Sequence, residues 1–142
     1  MSIRIKTHLA TLLATVLVDQ LSKYLILSTN SAYLLNSGIA FSIPLPSYTI
    51  FVLSIIVIIW LYTLWPSFEQ TKNKVFPIAL GLITGGTIGN MLDRIRLGAV
   101  IDFIKLPYWP TFNVADSAVC IGMGLLLWEL MKKQKVESKK QN

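Results

Sequence analysis

Tyr48-Thr-Ile-Phe-Val-Leu-Ser-Ile-Ile-Val-Ile-Ile-Trp-Leu-Tyr-Thr-Leu-Trp65 runs for 18 residues without a charge. A helix needs about 20 mainly apolar residues to cross the hydrocarbon core of a bilayer. Val75 to Leu92 is a second uncharged run of 18. Phe112 to Met131 is mostly apolar, with Asp116 near its start and Glu129 near its end. Thr7 to Leu27 is the remaining candidate, carrying Asp19 and Lys23 in its later half. The rest of the composition agrees. Of 142 residues, 54% are apolar and 14% charged, against a globular norm of about 25% charged. A soluble domain this small needs more polar surface, and a disordered chain would be poorer in apolar residues. Lipid has to solvate this chain.

The expected architecture is therefore an all-α polytopic membrane protein forming a single domain over 1–142. Its four transmembrane helices fall near 7–27, 48–65, 75–92 and 112–131. Outer loops 28–47 and 93–111 lie on one side; loop 66–74 and the tail 132–142 lie on the other. The N-terminus is basic and then apolar, but Asp19-Gln-Leu-Ser-Lys23 follows with no small-x-small cleavage pattern. A retained first span is expected.

Nine of the 13 basic residues sit in three segments: Arg4 and Lys6; Lys72 and Lys74; and Lys132, Lys133, Lys135, Lys139 and Lys140. The opposite loops hold Arg94, Arg96 and Lys105. The positive-inside rule puts both termini in the cytoplasm, and explains the net charge of +6 by topology rather than nucleic-acid binding. Tyr24, Tyr48, Tyr108 and Trp109 fall toward the outer ends; Trp60, Tyr62, Trp65 and Trp128 fall toward the inner ends, as in an interfacial belt. One cysteine, Cys120, and one histidine, His8, allow no disulfide within the chain and no Cys/His metal site, and a thiol–imidazole nucleophile pair is not expected. Cys120 is expected to be buried and inert, and His8 interfacial.

Ionisable groups at membrane depth are functional candidates. Glu69, Glu129 and Glu137 map to the cytoplasmic side as ordinary solvated charges. Asp19, Asp93, Asp102 and Asp116 all map outward. Asp19 precedes Lys23 by one helical turn, the favourable order for an ion pair. Ser22 adjoins Lys23, but neighbouring helix residues do not face each other, which argues against a Ser/Lys dyad. Asp93 is expected to pair with a nearby arginine, Arg94 being adjacent. Gly81, Gly85 and Gly89 form one helix stripe suited to close packing in lipid. Gly86 and Asn90 lie off it, with Asn90 able to hydrogen-bond across the bundle. Asp102 sits among Val100, Ile101 and Phe103, whose burial would desolvate it. Asn113 fits the N-cap of the last span with Asp116 at the third helical position.

Two adjacent carboxylates can share one proton, one acting as base on a water and the other donating to a scissile carbonyl. Four aspartates allow six pairings. Asp19 and Asp93 each have an obvious basic neighbour; Asp116 has none at helix-contact spacing, and Asp102 has only Lys105, three residues on in an expected loop, which favours the pairing of Asp102 with Asp116.

Five blocks carry a family resemblance: Asp19-Gln-x-Ser-Lys23, Asn36-x-Gly38-x-Ala-Phe41-Ser42, Gly85-Gly86-x-x-Gly-Asn90-x-x-Asp93-Arg94, Val100-x-Asp102-Phe103 and Phe112-Asn113-x-Ala115-Asp116. In this order on four spans, they resemble the lipoprotein signal peptidase (signal peptidase II) family of bacterial inner-membrane aspartic peptidases. The resemblance implies a catalytic dyad of Asp102 and Asp116. It implies substrate-binding or supporting roles for Asp19, Lys23, Asn36, Gly38, Phe41, Gly86, Asn90, Asp93, Arg94, Val100, Asn113 and Ala115. It implies removal of the signal peptide from diacylglyceryl-modified prolipoproteins before the lipidated cysteine, and a small extracytoplasmic β-rich platform in loop 28–47. No metal, cofactor, nucleic acid or obligate protein partner is expected; the partners are the prolipoprotein and membrane lipids. Leu35 stands where many members have arginine, and Gly38-Ile39-Ala40 where many have Gly-Ala-Ala. Loop 93–111 is compact; its Pro107-Tyr108-Trp109-Pro110 suits a lid on the interface. The non-enzymatic alternatives are an ion conduit, which would spread its acids through the membrane depth, and a lipid-binding or assembly protein.

Overall fold

A computed structural model of the chain describes residues 2–29, 31–38, 47–68 and 73–141. The elements run α1 (Ile3–Ser28), β1 (Leu34–Asn36), α2 (Ser47–Thr63), α3 (Trp65–Phe68), α4 (Val75–Leu97), β2 (Val100–Asp102) and α5 (Val114–Gln141). Three helices, Ile3–Ser28, Val75–Leu97 and Val114–Val136, are long and apolar enough to cross a membrane, while Tyr48–Thr63 is a shorter apolar helix.

α4 is the centre. Of its most apolar window 56% is buried, against 17% in α1 and 28% in α5. Glycine makes this possible. A Cβ on Gly81 would lie 2.8 Å from the His8 carbonyl, and one on Gly85 2.8 Å from that of Leu12, so the stripe seats α1 directly on α4. Gly86 faces the other way and meets the Ala115 carbonyl and Val119 of α5. The apolar core of Leu61, Phe68, Phe76, Ala79, Leu80, Ile83 and Leu126 lies at the opposite end of the bundle from the aspartates. Leu13, Leu17 and Leu21 of α1 and Ile55, Ile56 and Ile59 of α2 point outward, as lipid contact requires.

β1 pairs antiparallel with β2 in the register Leu34↔Asp102, Leu35↔Ile101, Asn36↔Val100. Among the described residues of the expected platform, only β1 is strand, and its partner comes from the other loop of that end. The β2 chain turns back on itself: the Phe103 and Ile104 amides donate to the Phe112 carbonyl, and the Phe112 amide returns a bond of 3.1 Å to Ile104. At the tip the Trp109 amide donates to the Leu106 carbonyl (3.2 Å). Tyr108, third in that turn, has φ 62°, a left-handed setting that costs a non-glycine residue roughly 1–2 kcal/mol.

Several boundaries differ from those read in the sequence. α4 runs to Leu97, past the expected end at 92, so Asp93 and Arg94 stand on the helix and not in a loop. α5 starts at Val114 and continues into the tail to Gln141. Hydropathy marks where lipid ends; a hydrogen-bonded helix propagates on into polar sequence. Gly98, at φ 73°, then stops α4 as its left-handed C-cap. Cys120 is exposed on the bundle surface, not buried, because a lipid-facing position needs no protein cover. His8 is buried between helices, its Nε2 2.7 Å from the Tyr62 hydroxyl. Glu129 is also buried, not solvated: the Asn73 amide donates to both its oxygens at 3.0 and 3.1 Å.

Candidate active site

Asn113 precedes α5 and closes a reciprocal capping box. Its Oδ1 accepts from the Asp116 amide (2.9 Å), and Asp116 Oδ2 accepts from the Asn113 amide (3.2 Å). This satisfies orphan donors of the first turn and fixes the Asp116 carboxylate at the helix start. The Asn113 side chain, fully buried, donates from Nδ2 to Asp102 Oδ1 at 2.7 Å. One asparagine thus holds both aspartates. The other oxygen of Asp102 accepts from Asn36 Nδ2 of β1 (3.0 Å), and the other oxygen of Asp116 accepts from Asn90 Nδ2 of α4 (2.8 Å).

Asp102 is 1% exposed on a β2 strand buried along its length. That desolvation pushes its carboxyl up to about 6, and the neighbouring Asp116 charge acts in the same direction. The amides of Asn36 and Asn113 and the charge of Lys23 pull against the shift. A carboxyl held near 6 beside a second carboxylate is suited to sharing a proton.

Behind this pair lies a buried ionic cluster. Lys23 Nζ sits 2.8 Å from Asp19 Oδ2 and 2.7 Å from Asp93 Oδ2. The Asp19 partner is the one that the spacing predicts. Asp93 pairs with Lys23 and not with an arginine: it points toward α1, whereas Arg94 points elsewhere and donates to the Gly38 carbonyl (2.9 Å). Both carboxylates also anchor backbone. Asp19 Oδ1 accepts from the Ala115 amide (2.9 Å), and Asp93 Oδ2 from that of Ile101 (3.2 Å). α1 and α4 thereby grip the residue before each of Asp116 and Asp102. Lys23 makes a further bond to Asn90 Oδ1 (3.1 Å), the amide that donates to Asp116.

Of the remaining candidates, Gly38 caps the end of β1, its amide donating to Asn36 Oδ1 (3.0 Å). Val100 and Ala115 are buried packing partners, and Gly86 leaves room for α5. Phe41 lies outside the described residues. Gln20 is a residue that sequence reasoning misses. Its Nε2 lies 3.1 Å from Asp19, 3.1 Å from Asp93 and 3.2 Å from the Gly89 carbonyl. Its presence in the first block is the signal that could have found it.

Comparisons with known proteins give the family. The family model for signal peptidase (SPase) II matches residues 11–132. A lipoprotein signal peptidase of Polynucleobacter necessarius is 37% identical, with 93% of each chain covered. One of Halothermothrix orenii is 34% identical over 87% of this chain and 94% of its own. A solved bacterial membrane enzyme superposes with a TM-score of 0.79 at 28% identity, covering 92% of this chain and 90% of that one. The chain belongs to the signal peptidase II family of bacterial membrane peptidases.

Proposed function

We propose that the protein is an aspartic endopeptidase that removes the signal peptide from diacylglyceryl-modified prolipoproteins, cutting before the lipidated cysteine. The observation that carries this reading is Asn113 holding Asp102 and Asp116, from two different elements, through one side chain and its own amide. An ion conduit needs carboxylates distributed through the membrane depth; here Asp19, Asp93, Asp102 and Asp116 converge at one end of the bundle, Glu129 lies at the other, and among the described residues no acid lies between them.

In the proposed reaction Asp102 keeps the shared proton and Asp116 is the base. Asp116 takes a proton from water as the water oxygen bonds to the scissile carbonyl carbon. Asp102 donates to the carbonyl oxygen. Collapse of the tetrahedral intermediate breaks the C–N bond; the amine of the lipidated cysteine leaves with the proton that Asp116 took, and the proton on the former carbonyl oxygen returns to Asp102. Lys23 and Asn90 orient Asp116, and Asn36 and Asn113 orient Asp102. Arg94 and Gly38 border the cleft as substrate-side groups, and Phe41 is proposed as a further substrate-side residue.

The membrane arrangement follows from the same reading. α2, at 17 residues about 25 Å long, completes the fourth crossing together with α3. Both termini are cytoplasmic, and the aspartates face the extracytoplasmic side, where a diacylated substrate arrives sideways from lipid. The whole chain acts as one domain. The test is cleavage of a purified diacylglyceryl prolipoprotein in proteoliposomes. Mature lipoprotein is expected from this protein, with chelators present or absent. No cleavage by a folded preparation overturns the assignment in favour of a conduit or an assembly protein.

A further inference from the structure

The β2 hairpin ends in Leu106-Pro107-Tyr108-Trp109, a turn closed by the Trp109 amide on the Leu106 carbonyl at 3.2 Å. Proline second and a positive φ third give this turn the type II pattern, whose third position is ordinarily glycine or asparagine. Here it is tyrosine, at φ 62°. The strain gains no packing among the described residues: Tyr108 is 106% exposed. Leu106 and Trp109 are 53% and 62% exposed, and Pro107 and Lys105 are exposed as well. Tyr108 is turned wholly outward, with the half-exposed Leu106 and Trp109 on either side of the turn.

Its place in the fold says what covers it. The hairpin leaves α4 after Leu97 and enters α5 at Val114. It therefore sits level with the ends of two helices that are apolar enough to cross a bilayer. The last turn of α4 also exposes Ile95 and Leu97. Tyrosine, tryptophan and a flanking lysine are the side chains that settle between headgroups and acyl chains, the rings at the boundary and the ammonium in water. We infer that this tip inserts into the headgroup and upper acyl region of the bilayer and holds the dyad at a set depth. The coupling is short and covalent. Asp102 is two residues before Ile104, Asn113 directly follows Phe112, and Ile104 and Phe112 are cross-linked by reciprocal backbone hydrogen bonds of 2.8 and 3.1 Å. The tip cannot move relative to the bilayer without carrying both ends of the dyad's support. The inference rests on the helices crossing a membrane, and on no particular substrate.

The test places an environment-sensitive fluorophore at the tip. Tyr108→Cys in a Cys120→Ser background is labelled with a nitrobenzoxadiazole and reconstituted in phosphatidylcholine/phosphatidylglycerol vesicles. Lys135→Cys in the same background is the tail control. A blue-shifted emission is expected at position 108, quenched by headgroup-labelled spin lipids more than by deep-chain labels, and shielded from iodide relative to position 135. Water-like emission with iodide access equal to the control overturns the inference. So does an environment that changes only when prolipoprotein is added, which would make the tip a substrate contact. These readouts need no catalysis, so they stand apart from any failure of the peptidase assignment. Tyr108→Gly then tests the depth-holding role, since glycine relieves the turn and preserves the fold. Cleavage of vesicle-embedded prolipoprotein is expected to fall about tenfold, with cleavage in detergent unchanged. Equal rates in both settings would overturn depth-holding.

Discussion

The two ends of the bundle both bury charge, and they do so differently. At one end Asp19, Lys23, Asp93 and Asp102 are each at most 2% exposed, and two carboxylates converge on Asn113. At the other, Glu129 is 4% exposed and held by Asn73, and the Trp65, Phe68 and Phe76 rings at that end stack edge and face on one another. Arg4 there donates to the Phe68 carbonyl and lies over the Trp65 ring. Burial of an ionisable group therefore does not by itself mark chemistry. What separates the ends is a pair of carboxylates against a single one, and a site bordered by partly exposed groups against a packed aromatic clamp.

The strongest way to break this distinction is to neutralise one carboxylate at each end. Asp102→Asn and Asp116→Asn should each lower cleavage by roughly 100- to 10,000-fold, the range for loss of a positioned acid or base. The variants should still insert and purify. Glu129→Gln keeps an acceptor for Asn73 and should leave cleavage within about twofold, since uncharged replacement of a hydrogen-bonded group costs only about 1 kcal/mol. A gel-based prolipoprotein assay reads all three. Comparable losses at both ends would erase the distinction.

Lys23 is the next point of leverage. Lys23→Met leaves Asp19 and Asp93 buried with their shared cation gone. Breaking a buried pair in this way costs about 3–5 kcal/mol, so thermal unfolding in detergent should occur far below the parent's temperature. Adding Asp93→Asn removes one of the orphaned charges and should recover part of the loss. No recovery would mean that Lys23 acts through Asn90 more than through its ion pairs.

Acid–base behaviour sharpens the same contrast, because the proposed dyad must keep one proton. Asp102 is raised to about 6, chiefly by desolvation. It holds its proton below that value and gives it up above, so kcat/KM should fall with rising pH, by about tenfold per unit once well past the inflection. Asn36→Leu deletes a donor that favours the charged form and should move this limb to higher pH. The stability sign agrees. A carboxyl raised on folding contributes most below its unfolded value, and that contribution disappears as pH climbs through about 6. A pH profile whose alkaline limb ignores Asn36 would separate Asp102 from the shared proton.

Much of this is legible in the sequence because the relevant forces are local. Uncharged runs announce apolar helices, the Asp19–Lys23 spacing announces its ion pair, and Asn113 with Asp116 announces a capping box. The failures concern tertiary partners. Arg94 adjoins Asp93 and so suggests itself as its cation, yet neighbours on a helix point apart, and the true partner comes from α1, 70 residues earlier. Glu129 reads as solvated because the sequence near it is basic; Asn73, which takes it out of water, is 56 residues away. Asn36 reaches Asp102 only through a strand pairing of three residues on each side, too short to leave a periodic pattern. Gln20 goes unnoticed because, although it stands in the first block, an uncharged amide between two charged landmarks shows no role until three acceptors surround it.

The finest test of the two ends uses one substitution twice. On α4 at the dyad end, a Cβ at Gly86 would press on the Ala115 carbonyl and lie 2.9 Å from Val119 Cγ2. The carbonyl is backbone and cannot rotate away, so α5 must shift. Its first turn carries the Ala115 amide bound to Asp19 and the Asp116 carboxylate bound to Asn90. Gly86→Ala should cost about 1–3 kcal/mol as an overpacked contact and should lower cleavage as well, since Asp116 moves with the helix. On α5 toward the other end, a methyl added at Gly124 would meet nothing within 4 Å. Gly124→Ala should be neutral or stabilising by up to about 1 kcal/mol, the helix-propensity gain, with cleavage unaffected. Opposite signs from the same added methyl would show that the bundle is tight where two helices locate the dyad and slack where one faces lipid. Equal effects would mean that α5 can slide on α4 without disturbing Asp116, and that the capping box alone positions it.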